Sequence, residues 1–200
     1  MGAAEAFWAW FVENEKRFRD VETPQKEQFL DELQRHLHAF CDSLWFEIGG
    51  HPNGPRELIV SAEGRSELFP KVRELIGAAP KLDGWCFIPF KPAQGFDFVT
   101  EYAGLTISPK ATWFMPLESR TNPAALGLRV AYSHFEKSKE KIYLAATYLV
   151  LEAGLGELDA AETIQHVEVC AAPSAPESAG FILLHELPQY IRWREKQEGA

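Results

Sequence analysis

The chain has 200 residues, 46% of them hydrophobic and 24% charged, and its 29 acidic against 20 basic side chains leave a net charge of −9. That length and apolar share can bury a core without a metal or disulfide staple, and no linker near the middle divides the chain, so a single α+β domain over residues 1–200 is expected. The acidic balance argues against nucleic acid as a partner, because non-specific binding needs basic patches.

No signal peptide is expected, since Glu5 and Glu13 interrupt the N-terminal apolar residues. No membrane span is expected either: the most apolar stretch, Ile142 to Leu151, is bounded by Lys141 and Glu152 and is too short. Cys41, Cys86 and Cys170 are odd in number, widely spaced and set beside apolar neighbours. They read as buried free thiols in a reducing cytoplasm.

Residues 4–19 have helical spacing, with Phe7, Trp8, Phe11 and Phe18 on one stripe and Glu15 as its polar exception. Trp10 lies off that stripe, which predicts cover on a second side. Thr23 is placed to cap the next helix with Pro24 at its first position, and Phe29, Leu30, Leu33, Leu37 and Phe40 form its inner face. The period then shortens. Residues 44–48 and 57–61 read as strands joined by a turn-rich loop, Gly49 to Pro55, that contains Asn53-Gly54. A helix follows, beginning between Ser66 and Pro70 and running to about Ala79. Trp85 to Phe90 is a strand whose Pro89 calls for an edge or a bulge.

Residues 91–101 read as loop, and 105–107, 112–117 and 126–132 as strands set off by Ser-Pro and Asn-Pro turns. Neighbouring Trp113 and Phe114 point to opposite faces, so one of them needs a cover of its own. Residues 140–152 form a helix that is apolar almost all round, which predicts burial inside the protein or an oligomer, and Gly154 is placed to end it. Asp159 and Glu162 have capping-box spacing. Residues 163–170 alternate as a strand, 171–180 are rich in Ala, Pro and Ser and read as a mobile loop, 181–184 are a short apolar run, and 188–196 a last helix. Strand, strand, helix, strand recurs over 44–90 and 112–170. The expected architecture is therefore a largely antiparallel sheet of six to seven strands covered by helices, built from two related halves.

No pattern assembles a reactive centre. His36 and His38 are two apart on a helix and point in different directions, so they do not share a metal. The glycines of 49–54 join strand to strand and fit no phosphate loop. The cysteines lack close histidines, and His166, four before Cys170 on a strand, is too distant for a direct bond. Ser133-His134 follows a strand and precedes Glu136, at a place where functional groups are often carried. Glu152, Glu157, Asp159 and Glu162 crowd one helix junction. They belong to a stretch, 142–191, with seven acids and no lysine or arginine. No metal and no cofactor is implied.

Phe7-Trp8-Ala9-Trp10-Phe11, Glu67-Leu68-Phe69-Pro70-Lys71-Val72 running on to Ala78-Ala79-Pro80, and Leu155-Gly156-Glu157 after an apolar helix resemble a bacterial family without an assigned activity. The resemblance implies an α+β fold and a bacterial, cytoplasmic setting, and it supplies no catalytic residues.

Two functions are compatible with these residues. In the first, the protein is a non-enzymatic interaction protein that docks a basic protein surface on the acidic 142–191 segment, with Glu152, Glu157, Asp159 and Glu162, or docks a partner through an aromatic patch beside it. In the second, it is a small-molecule binder or enzyme with a pocket at the strand ends, using Tyr132, His134 or His166. The apolar helix at 140–152 adds self-association as a third expectation.

Overall fold

The computed structural model describes residues 2–19, 24–51, 54–119, 122 and 125–198. The chain divides into two compact units, Met1–Lys91 and Pro92–Ala200.

The first unit runs α1 (Ala3–Asn14), a single turn α2 (Lys16–Arg19), α3 (Lys26–Phe40), β1 (Trp45–Gly49), β2 (Arg56–Ser61), α4 (Phe69–Gly77) and β3 (Trp85–Pro89). The predicted stripe of Phe7, Trp8, Phe11 and Phe18 is buried. It meets β3, with Trp8 4.4 Å from Phe87 and Phe11 5.0 Å from Trp85 between ring centroids. The Trp8 indole N–H donates to the Leu75 carbonyl of α4 at 2.7 Å. Trp10 turns the other way and stacks on His36 of α3, 3.8 Å away. The helix is thus covered on two sides, as its off-stripe tryptophan predicts. Thr23 lies outside the described residues. Pro24 sits in a turn before α3, which starts at Lys26 and not at the proline.

Glu15, the polar exception on the stripe, is only 7% exposed. Its carboxylate accepts from Trp85 Nε1 at 2.8 Å and pairs with Arg19. Burial pushes its pKa up, but the hydrogen bonds from Arg19 and Trp85 and the nearby positive charges outweigh burial and hold it below its ordinary value. One acid therefore joins the α1–α2 corner to β3. In the sheet, β2 is central, antiparallel to β1 and parallel to β3. Pro89 lies on an edge strand, where its missing N–H costs least.

The second unit holds a hairpin of β4 (Thr100–Tyr102) and β5 (Leu105–Ile107). It continues with β6 (Trp113–Glu118), β7 (Leu126–Tyr132), α5 (Glu140–Leu155), α6 (Glu157–Thr163), β8 (Ile164–Ala171), β9 (Ile182–Leu183) and α7 (Leu187–Glu198). β4 falls partly within the stretch that reads as loop in the sequence. The main sheet has the order β8-β7-β6-β9, with β7 and β8 parallel. β7 is buried on both faces apart from a half-buried Arg129. Leu128 and Val130 share a core with Tyr143, Ala146, Val150 and Leu151 of α5 and Val167 and Val169 of β8. Phe114 is fully buried and meets Tyr190 of α7 edge-on, while Trp113 on the other face is half-buried. The Pro- and Ser-rich segment after β8 is irregular apart from one 3-10 turn, Glu177–Ala179.

Gly154 does not end α5. It is inside the helix, buried, and a Cβ there would overlap the ring of Phe96, so the residue is small because an aromatic ring lies on it. The helix ends at Gly156, whose φ of 86° and ψ of 154° suit essentially glycine alone. Gly156, not Asp159, occupies the cap of α6, so the helical turn forms without the capping box.

The recurrence seen in the sequence is present as topology. β1-β2-α4-β3 and β6-β7-α5-α6-β8 each make a hairpin and then a helical crossover to a strand parallel to the second one. Ser61, Ser66 and Phe69 mark strand end, 3-10 turn and helix start in the first; Tyr132, Lys137 and Glu140 mark them at identical spacing in the second. The expected single sheet of six to seven strands is corrected: the strands form separate sheets of three, two and four. Each half completes its own sheet, because its crossover helix returns the chain beside the strand it left. Four of the strand pairings are antiparallel and two parallel.

Glu15→Gln should lower stability by about 1–3 kcal/mol at neutral pH, the cost of disturbing a buried charged hydrogen-bond partner. The carboxyl's depressed pKa means its contribution is complete above the unfolded glutamate range and is lost as pH falls through the folded value. Denaturant titrations at neutral pH and below pH 4.5 should therefore show wild type and variant converging in acid. A constant gap would contradict this role. Gly154→Ala should cost about 1–3 kcal/mol by overpacking against Phe96, read in the same titration.

Candidate functional site

Among the described residues, a cleft of about 450 Å³ opens where β7 gives way to α5. The placement follows from the crossover. A strand that feeds a helix leading to a parallel partner leaves an opening beyond its carboxyl end. Thr112, Tyr132 and Tyr143 are the buried lining residues, while Thr106, Ser133 and His134 are exposed around it. Lys139 and Glu136 also line it and pair with each other at 2.7 Å.

A chain of hydroxyl bonds fixes the wall. Thr147 Oγ1 donates its only hydrogen to the Tyr143 carbonyl at 2.7 Å. The 2.7 Å contact between Tyr132 Oη and Thr147 Oγ1 therefore has Tyr132 as donor. Tyr143 Oη in turn donates to the His134 carbonyl at 2.6 Å. Strand end, helix and the turn between them are thus tied by three bonds. Both phenolic hydrogens are used inside the protein. Burial pushes the Tyr132 phenol up to about 12, against a smaller lowering by the Thr147 bond, so it stays neutral at physiological pH. Side-chain donors left to face a ligand come from Ser133, Thr106, Thr112, His134 and Lys139.

The structure brings together Tyr132, Ser133, His134 and Glu136 of the sequence candidates and leaves the others elsewhere. His166 is not among the cleft residues; its side chain is 64% exposed and stands 3.9 Å from Glu168, whose carboxylate is paired with Arg129. Of the acidic group, Glu152 is half-buried and Asp159 and Glu162 are exposed. Glu157 is fully buried, so it cannot meet a docking partner; it occupies the first turn of α6 directly after the tight Gly156 corner. Asp159 lines a separate hollow of about 300 Å³ together with Arg192 and Glu195. The base-free stretch in the sequence is therefore met in space by Arg129 and Arg192.

None of the cysteines is fully buried, which corrects the expectation from their apolar neighbours: Cys86 is exposed, and Cys41 and Cys170 are half-buried. Burial raises the Cys170 thiol pKa, with Glu168 adding to the rise and Arg129 opposing it. Lys139, Tyr143 and Thr147 join the site without being among the sequence candidates. Their signal is a spacing of four that runs from Lys139, in the 3-10 turn before α5, to Tyr143 and Thr147 on one side of the helix.

The raised Tyr132 pKa carries a sign. Above the ordinary tyrosine value of 10 the unfolded chain releases a proton that the folded chain keeps, so stability falls as pH rises from 10 towards 12. Tyr132→Phe should reduce this alkaline loss, by roughly 1–3 kcal/mol. Unfolding curves for both proteins across that range check it, and parallel curves would contradict it. No protein-family model, curated protein or solved structure matches the chain, so the resemblance drawn from its motifs gains no support there.

Proposed function

We propose that the cleft at the end of β7 binds a small, neutral, hydroxyl-rich molecule. The observation that carries this reading is the lining. It combines hydroxyls from Thr106, Ser108, Thr112 and Ser133 with two tyrosines and one internally balanced ion pair, Lys139–Glu136. A volume of about 450 Å³ lies within the range of small-ligand sites. Hydroxyl donors and acceptors match a polyol or sugar, whereas a multiply charged anion would meet Glu136 beside Lys139. The neutral Tyr132 phenol, already donating to Thr147, supports binding rather than proton transfer.

Docking of a basic protein surface is the second reading. Exposed Asp159 and Glu162 favour it; buried Glu157, the Arg129–Glu168 pair and Arg192 beside Asp159 weigh against it.

The test is a thermal-shift and calorimetric panel of monosaccharides and polyols, with inorganic phosphate and a lysine-rich peptide as the contrasting probes. A member of the polyol panel at about a hundred times its Kd should stabilise the protein by about 2.7 kcal/mol. Ser133→Trp, at an exposed position on the cleft, should abolish that shift while leaving the unliganded melting temperature unchanged. A shift that survives Ser133→Trp, or one seen only with phosphate or peptide, would overturn the reading.

A further inference from the structure

We infer that the outer face of α5 is a self-association surface whose partner is a second copy of this chain, packed antiparallel about a two-fold axis. The inner face of α5 is in the core through Tyr143, Ala146, Thr147, Val150 and Leu151. Its outer face carries Lys141, Ala145, Tyr148, Leu149 and Glu152 along one stripe at helical spacing. Tyr148 is 50% exposed and Leu149 45%, so a helix that is apolar nearly all round is enclosed on one side only. β4 packs on α5, and exposed Tyr102 at its end, with Val99 just before it, adds apolar surface on the neighbouring segment. A large apolar side chain alone on a surface means little; Tyr148 and Leu149 stand next to each other, beside Ala145, on a single helical stripe.

The order of residues along the stripe is what selects a second copy. A two-fold contact requires a self-complementary surface. With the axis level with the midpoint between Ala146 and Thr147, antiparallel α5 helices set Lys141 opposite Glu152 of the second copy. The same operation sets Ala145 opposite Tyr148. Each cation then meets an anion and each large ring meets a methyl group, twice over by symmetry. A parallel arrangement would instead set Lys141 against Lys141 and Tyr148 against Tyr148. The surface is independent of the cleft, whose lining residue on this helix, Tyr143, lies off the stripe.

Sedimentation equilibrium of the full chain at low ionic strength tests the inference, because screening weakens exposed pairs. The wild type should show a concentration-dependent monomer–dimer equilibrium. Lys141→Glu and Glu152→Lys should each weaken the dimer by about tenfold or more, since each converts two attractive pairs into repulsive ones. The double variant K141E/E152K should be tighter than either single reversal. Glu152 has an intrachain interaction of its own, so Lys141→Glu is the variant that isolates the interface, with circular dichroism confirming its fold. A wild type that stays monomeric throughout, single reversals without effect, or a double variant no tighter than the singles would each overturn the inference.

Discussion

The return of the chain from β7 through α5 to β8 is the constraint on which the second unit depends. Parallel strands cannot be joined by a tight turn, so a helix must carry the chain back along the sheet. That helix has two obligations. Its inner face has to fill the core over Leu128, Val130, Val167 and Val169, and its first turns have to be anchored where the strand lets go. The hydroxyl chain Tyr132–Thr147–Tyr143–His134 does the anchoring. The same bonds hold open the cleft at that junction, because they fix its tyrosine wall without spending the rim donors.

The first unit solves the same problem with different chemistry. Its crossover also leaves a strand end, makes a 3-10 turn and starts a helix at identical spacing. Among the described residues no phenol–threonine pair is found at the corresponding place: β2 ends in buried Ser61, whose hydroxyl accepts from the Glu63 amide within the turn itself. Stability there is drawn from aromatic stacking around Phe11 and from Glu15, which bridges Arg19 and Trp85. A recurring topology thus closes one corner within its own turn and ties the other, beside a cleft, through two tyrosines and a threonine.

Most elements were legible because their periods are strong. The stripe of α1, the hairpin of β1 and β2, the edge position of β3 and the strands at 113–118 and 126–132 follow from spacing, turn residues and a proline. What was not legible depends on partners distant in the chain. Gly154 reads as a helix end until Phe96 is seen lying on it. Glu157 reads as a surface acid until its burial is seen, and a run without basic residues reads as an acidic face until Arg129 and Arg192 arrive from other elements. The split into separate sheets was hidden for a related reason: two strand–strand–helix–strand patterns do not say whether their edges join. Of the site, Tyr132, Ser133 and His134 were visible as a strand end, whereas the role of Tyr143 and Thr147 was masked by the apolar helix around them.

The claim that one hydroxyl chain holds strand, turn and helix together is tested most directly by amide hydrogen exchange of Thr147→Val. The substitution keeps the shape of the buried side chain and removes the oxygen that links Tyr132 to the Tyr143 carbonyl. A local loss of protection is expected at the end of β7 and the first turns of α5, with β1, β2 and β3 unchanged. Protection that is unaltered at Val130 to Tyr132, or lost evenly over the second unit, would contradict it.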